Sequence, residues 1–91
     1  MDMHRVYRFA ANAQFFDFAA HSFIIDLHTR SLYNLGISSA LIAAHLDGER
    51  DLKEIAAIVR AHYDASEAES TAAVMKFIGM MEQKQLIEEL S

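Results

Sequence analysis

The sequence LYNLGISSALIAAHLDGERDLKEIAAIV, residues 32–59, decides how this chain folds. It begins with a short apolar segment, residues 32–35, that fits a strand and breaks at Gly36. Residues 37–46 then carry a helical pattern, which ends at the Asp-Gly pair of residues 47–48. Because glycine adopts the left-handed conformation without strain, this pair lets the chain satisfy the last helical carbonyls and reverse within a few residues.

A second helix begins directly after this turn. Asp51 and Glu54 form a D-x-x-E capping box, which starts the helix at Leu52. Two short helices joined so tightly should pack against each other at a large angle, as in a helix-turn-helix. We expect Ser38 or Ser39 to cap the first of them and the remaining chain to pack around the pair.

The composition restricts the class of protein. The chain has 91 residues and no cysteine, which predicts one domain over residues 1–91 without disulfides or thiolate metal sites. Its start, MDMHRVYRF, lacks the layout of a signal peptide, and no apolar run approaches the roughly 20 residues that span a bilayer. We therefore expect a soluble cytoplasmic protein with no membrane partner.

The charge balance argues against nucleic acid as a partner. Eight lysines and arginines stand against thirteen aspartates and glutamates, which gives a formal charge of −5. Binding to phosphate backbones requires clustered positive charge, and here the cations are scattered along the chain. A helix-turn-helix often suggests DNA, but this composition predicts no affinity for it.

Short strands precede the helices. Residues 14–18, 22–27 and 32–35 are apolar segments with short connections, which predicts a three-stranded antiparallel meander. One face of its second strand is formed by Phe23, Ile25 and Leu27. A helical interpretation of residues 14–27 stays open, because the alanine-rich connection does not favour a strand. Residues 1–13 are weakly defined and fit either a strand or an ordered arm.

Three helices follow, each with an apolar stripe at helical spacing. The first two should bury Leu41, Ile42, His45, Leu46, Leu52, Ile55, Ala56, Val59 and Tyr63. A second capping box, Ser66-x-x-Glu69, starts a third helix that runs from residue 67 to about 84, with a core stripe of Val74, Phe77, Ile78 and Met81. Residues 85–90 fit a short extended tail. The predicted class is α+β: a three-stranded antiparallel sheet followed by a three-helix bundle, like a winged helix.

No catalytic, cofactor or metal site is predicted. The five histidines lack the short spacing of metal ligands, so they indicate surface or structural histidines. The acidic pair Glu67 and Glu69 fits a helix N-terminus, and Glu88 and Glu89 fit a solvated tail. Neither pair comes with the apolar cleft that raises a carboxyl pKa for acid–base catalysis. We therefore expect no enzyme activity and no cofactor.

Two features indicate binding instead. The first is the last strand of the meander, residues 31–35, whose outer edge could accept a peptide as an added strand; alternatively, the N-terminal arm or a second copy of the protein shields it. The second is a flank of the third helix beside its core stripe, although a wide core stripe would explain that flank equally well. The residues expected to bind peptide are Ser31, Leu32, Tyr33, Asn34, Leu35, Ala73, Lys76, Phe77, Met80 and Lys84.

The opening stretch resembles the PqqD family, which comprises small proteins of coenzyme PQQ biosynthesis and related recognition domains for precursor peptides. The resemblance is carried by LYNLGISSA at 32–40, LDGER at 46–50 and LKEIA at 52–56, followed by MKFI at 75–78 and QLIEE at 85–89. It covers roughly residues 22–90. Two positions depart from the family pattern: Gly36 replaces the usual Asn, and Ala43 stands where a large residue, often Trp, is common.

The resemblance implies a three-stranded sheet on a three-helix bundle that has no catalytic activity of its own. Such domains bind the leader of a ribosomally made precursor peptide as a strand beside their third strand, in a groove closed by the third helix. They present it to a modifying enzyme, often a radical S-adenosylmethionine (SAM) enzyme. This placement coincides with the edge and the helix flank described above.

The sequence thus predicts a non-catalytic adaptor that binds the leader of a precursor peptide. One alternative is a winged-helix DNA-binding protein, but the third helix offers only Lys76 and Lys84 among Glu67, Glu69 and Glu82. Another alternative is a regulatory module that binds a different protein through the flank of this helix. A homodimer, formed by a second copy at the sheet edge, also stays open.

Overall fold

The order of helices and strands agrees with the predicted α+β class and adds strands that the sequence did not reveal. The computed structural model describes residues 2–18 and 20–90. The elements are β1 Val6–Phe9, β2 Ala13–Phe18, β3 His21–Asp26, β4 Ser31–Leu35, α1 Ile37–Ala44, β5 Asp47–Asp51, α2 Leu52–Tyr63, α3 Glu67–Gln83 and β6 Ile87–Glu89. None of the helices in these ranges is long and apolar enough to cross a membrane.

The predicted three-stranded meander is confirmed. Strands β2, β3 and β4 form one antiparallel sheet in that order, which we call the meander sheet. Phe16 lies opposite Phe23, and Ile24 lies opposite Tyr33. The helical interpretation of residues 14–27 is therefore wrong.

The two faces of the meander sheet differ in what covers them. On the inner face, Ile24 is fully buried against the helices. On the outer face, the rings of Phe16 and Phe23 stack with centroids 5.1 Å apart, and Phe18 stacks on Phe16 at 6.3 Å. Because strand residues alternate between faces, the apolar residues Phe23, Ile25 and Leu27 belong to this outer face and not to the core.

A second antiparallel sheet joins the two ends of the chain. Its strand order is β5–β1–β6, and we call it the closing sheet. Arg5 pairs with Glu89 at 2.5 Å and Arg8 pairs with Glu88 at 2.6 Å across it. The weakly defined arm and the extended tail of the sequence prediction are strands of this sheet, while β5 occupies residues that were expected to form only a turn.

Gly48 adopts the predicted left-handed backbone, with a φ of 78°, but not at a helix end. It lies within β5, where the register shifts between the pairs Val6–Asp51 and Arg8–Asp47. The strand thus carries an irregularity of the kind that glycine accommodates, because a residue with positive φ fits a β-bulge. The C-cap of α1 is His45 instead.

Capping explains where α2 and α3 begin, and both predicted capping boxes are confirmed. The backbone N–H of Glu54 donates to Asp51 at 2.8 Å, and that of Glu69 donates to the Ser66 hydroxyl at 3.1 Å. Each glutamate side chain in turn accepts from its capping residue's N–H. Helix α1 has Gly36 at its N-cap with no side-chain cap, so the expectation that Ser38 or Ser39 caps it is wrong.

The core lies between the inner face of the meander sheet, the three helices and the closing sheet. It contains Tyr7, Ile24, Ile42, Ala43, Leu46, Leu52, Ile55, Ala56, Val59, Val74, Phe77, Ile78, Met81, Leu86 and Ile87. The predicted α3 stripe is fully confirmed. Tyr63 is 38% exposed at the end of α2, so its predicted burial is wrong, and Leu41 and His45 are only half-buried. The helix-turn-helix angle and the likeness to a winged helix stay predictions.

Candidate functional site

Strand β4 lies at an edge of the meander sheet. It pairs with β3 along its whole length: Leu35 lies opposite Ser22 at one end, and Ser31 lies opposite Asp26 at the other. In the described part of the chain no strand pairs with its other side. An edge strand presents unpaired backbone N–H and C=O groups, which are a template for a further strand. The edge expected from the sequence is therefore present and open within the described residues.

Side chains of β4 alternate between the solvent and the helices. Leu32 and Asn34 are exposed on the outer face. Tyr33 and Leu35 are half-buried and pack against the core. A strand added to this edge would alternate in the same way, so every second side chain of that strand would point towards the helices.

The predicted flank of α3 contains both core and surface residues. Phe77 is only 3% exposed and belongs to the core, whereas Met80 is 45% exposed. Ala73 is half-buried against the core, and Lys76 is exposed. Met80 is thus the apolar residue of this flank that is most available to a ligand, while Phe77 can contribute only as part of the floor beneath it.

One contact brings the strand edge and the helix flank together. The ammonium of Lys84, at the C-cap of α3, lies 4.7 Å from the centroid of the Tyr33 ring. This distance is within the range of a cation–π interaction. The end of α3 is therefore next to the middle of β4, and both residues are among those predicted to bind peptide.

The turn that leads into β4 is held by a buried carboxylate that sequence reasoning did not select. Asp26 is 4% exposed and accepts hydrogen bonds from the Asn12 side chain at 3.1 Å and the His28 N–H at 3.0 Å. The Asn12 bond is the main reason that the pKa of Asp26 lies below its usual value. Its position in the sequence, directly before the turn of residues 27–30, was the available signal, because Asp commonly bonds to backbone N–H groups two residues on.

Two cavities lie away from the Tyr33–Lys84 contact, and the second of them includes one predicted peptide-binding residue, Leu35. One, of about 720 Å³, lies between α2 and the start of α3 and includes Lys53, Arg60 and Ser70. The other, of about 520 Å³, lies at the far end of β4 and includes Leu35, Ile37 and Tyr63. Over residues 2–18 and 20–90, no group of three or more His, Cys, Asp or Glu side chains could hold a metal ion.

A comparison with models of protein families shows which family the chain belongs to. The family model described as coenzyme PQQ synthesis protein D (PqqD) matches residues 22–87. The chain belongs to the PqqD family. The matched residues include β3 from its second residue, β4, β5, all three helices and the start of β6. A comparison with curated proteins found no significant match.

Solved structures with the same fold include proteins bound to leader peptides. TbiB1, solved in complex with the TbiA(beta) leader peptide, superposes on this PqqD-family chain with a TM-score of 0.82 at 15% sequence identity. The alignment covers 92% of this chain and 98% of the TbiB1 chain. Lasso peptide synthetase B1, complexed with its leader peptide, has a TM-score of 0.80 and 11% identity, with coverages of 90% and 96%. At these identities the likeness establishes the fold.

Proposed function

We propose that this protein is a non-catalytic adaptor that binds the leader of a ribosomally synthesised precursor peptide. The observation that carries the proposal is the open edge of β4 with the Tyr33–Lys84 contact beside it. Family membership supports it, as does the shared fold with two proteins that were solved with leader peptides bound.

The bound peptide would form an additional antiparallel or parallel strand on β4. Hydrogen bonds from the β4 backbone would hold the peptide main chain whatever its sequence, and selectivity would come from the alternate side chains. Those that point inward would meet Tyr33 and Leu35 on the strand and Met80 on α3. The proposed contact residues remain Ser31–Leu35 with Ala73, Lys76, Phe77, Met80 and Lys84.

The partners follow from the same role. We propose that residues 1–91 act as one recognition domain and deliver the leader to a separate modifying enzyme, for which a radical SAM enzyme is the first candidate to test. The proposed location is the cytoplasm, where precursor peptides are made. Self-pairing of β4 edges would give a homodimer that competes with the peptide, so peptide binding should dissociate such a dimer.

Met80→Glu is the sharpest mutational test. It places a charge in the apolar wall of the groove without opening a core cavity, because the Met80 side chain is 45% exposed. Loss of one anchoring contact should weaken binding roughly tenfold, about 1.4 kcal/mol. Synthetic peptides from the leader segments of short open reading frames beside its gene serve as ligands in isothermal titration calorimetry.

Met75→Glu is the matched control. It changes the same residue type on the same helix, but position 75 lies about 140° away around the helix at ~100° per residue. Met75 is half-buried beside Glu67 and Thr71 on a different flank, so the control should bind peptide normally once a thermal melt shows that it folds. Hydrogen exchange should also show new protection of the amides of β4 on binding. Equal affinities for both variants, with no new protection in β4, would exclude this site.

A further inference from the structure

Lys84, at the end of α3, has no acidic partner within the described part of the chain. The ion pairs found among residues 2–18 and 20–90 involve His4, Arg5, Arg8 and Arg50, and none of them includes Lys84. A lysine at a helix C-terminus is favoured by the helix dipole. That preference does not require the half-buried side chain to lie over the ring of an edge strand, which is where Lys84 lies.

The ring of Tyr33 leaves most of the hydrogen-bonding capacity of this ammonium unused. A lysine ammonium has three N–H donors, and an aromatic face interacts with the charge without accepting conventional hydrogen bonds from all of them. A ligand oxygen in this position would therefore gain a charge-assisted hydrogen bond.

The geometry of strand addition defines which ligand residue comes within reach. A strand paired with β4 lies about 4.8 Å from it, and its inward side chains stand beside the inward side chains of β4. The peptide residue opposite Tyr33, or the next inward residue two positions away, is then adjacent to the Lys84 ammonium. The other inward positions face Leu35 or the apolar wall at Met80.

A second cation, Arg30, stands at the start of β4. Arg30 directly precedes the strand, is exposed and makes no ion pair within the described ranges. The rest of the molecule is acidic, with a formal charge of −5 for the whole chain. A polyacidic peptide would therefore be repelled overall, and the local cations favour a single acidic residue among apolar ones.

We propose that Lys84, positioned on Tyr33, selects one Asp or Glu side chain at a fixed inward position of the bound peptide strand. This inference rests on the proposed leader-binding function. It adds a sequence requirement that strand addition alone does not have, since main-chain hydrogen bonds accept any sequence. The recognised leader should thus carry apolar residues for the Met80 side of the site and one carboxylate beside Tyr33, at the middle of β4.

An mRNA-displayed library of random 14-residue peptides tests the proposal with a defined probe. Selection against the wild-type protein should enrich one acidic position at a constant spacing from apolar positions. Selection against Lys84→Met should retain the apolar positions and lose the acidic one. Against Lys84→Glu, a lysine or arginine should replace it.

Affinities of individual selected peptides give the quantitative check. Changing the selected acid to its amide should weaken binding to the wild-type protein roughly three- to tenfold and should have no further effect on Lys84→Met. Lys84→Arg should keep the acidic preference, and Lys53→Met, a change at an exposed lysine on α2, should leave the selected motif unaltered. Thermal melts confirm that each variant is folded.

The outcomes separate the two proposals. Suppose that the selected peptides protect the amides of β4 but have no common acidic position, or that selection against Lys84→Met enriches the same acidic position. Either result would overturn the role of Lys84 without contradicting leader binding. A library that yields no peptide protecting β4 would overturn leader binding at this edge and the selectivity with it.

Discussion

Gly48 holds a backbone conformation that side chains disfavour. Its φ is 78°, and a Cβ atom there would lie 3.2 Å from Cδ1 of Leu90 and 3.6 Å from Cβ of Arg8. We expect Gly48→Ala to lower the free energy of unfolding by about 1–2 kcal/mol, because a left-handed conformation costs about that much for a residue with a Cβ. Urea denaturation measures the difference.

Gly79→Ala should change the free energy of unfolding in the opposite direction. Gly79 is exposed inside α3, and nothing lies within 4 Å of the position its Cβ would take. The substitution should raise the free energy of unfolding by about 0.5–1 kcal/mol, since alanine favours helix interiors over glycine. If both substitutions stabilise the protein, the backbone of β5 is not constrained as described.

Residue periodicity predicted the core stripe of α3 but could not show which of the neighbouring residues are exposed to a ligand. Phe77 and Met80 lie three positions apart on neighbouring parts of the helix, and the spacing alone places both beside the core stripe. Only the surrounding elements determine that Phe77 is buried and Met80 is exposed. The contact of Lys84 with Tyr33 joins residues 51 positions apart, which no local pattern reveals.

The helices differ in how their N-termini are capped. Helix α3 begins with a complete capping box at Ser66, whereas α1 begins at Gly36 without a side-chain cap. Ser66→Ala should therefore destabilise the protein by about 1 kcal/mol, within the usual range of 0.5–2 kcal/mol for a lost N-cap. For a chain of this size that lowers the melting temperature by roughly 4–8 °C.

Ser38→Ala is the matched control for this prediction. Ser38 is exposed in the first turn of α1 and caps nothing, so its replacement should change the melting temperature little. Differential scanning calorimetry compares the two variants. A larger loss for Ser38→Ala than for Ser66→Ala would contradict the capping assignment.

Local patterns predicted the elements that local interactions stabilise and missed those that depend on distant partners. The meander and the two capped helices carry alternation or capping signals within a few residues. Strand β5 has the sequence DGERD, which contains no apolar residue and is typical of a turn. It is a strand because β1, some 40 positions earlier in the chain, pairs with it.

Five carboxylates, spread over the molecule, share one electrostatic property. Hydrogen bonds to the carboxylate are the largest cause of a lowered pKa at Asp26, Asp47, Asp51, Glu69 and Glu89. A group whose pKa is lower in the folded state stabilises the fold above its ordinary pKa, and that stabilisation is lost as pH falls through the folded value. The ordinary values are 3.8 for Asp and 4.5 for Glu.

The protein should therefore become progressively less stable below about pH 4.5. We expect the melting temperature to fall steadily between pH 5 and pH 3 in circular dichroism melts at constant ionic strength. In the Asp26→Asn variant one of the five groups no longer titrates, so the melting temperature should fall less over the same pH interval. A melting temperature that stays constant or rises over this interval would contradict the lowered pKa values.

The closing sheet also determines the order in which the fold can be completed. Its central strand, β1, is synthesised before the other described strands and helices, while β6 is synthesised after them. The N–H of Leu90 donates to the carbonyl of Val6 at 2.9 Å, so this contact closes a loop of almost the whole chain. Contacts of such separation form late, because loop closure costs entropy before the pairing is gained. During synthesis, the meander can therefore pair before the β6 partner of β1 exists, so β1 completes its pairing later than strands that follow it in the chain.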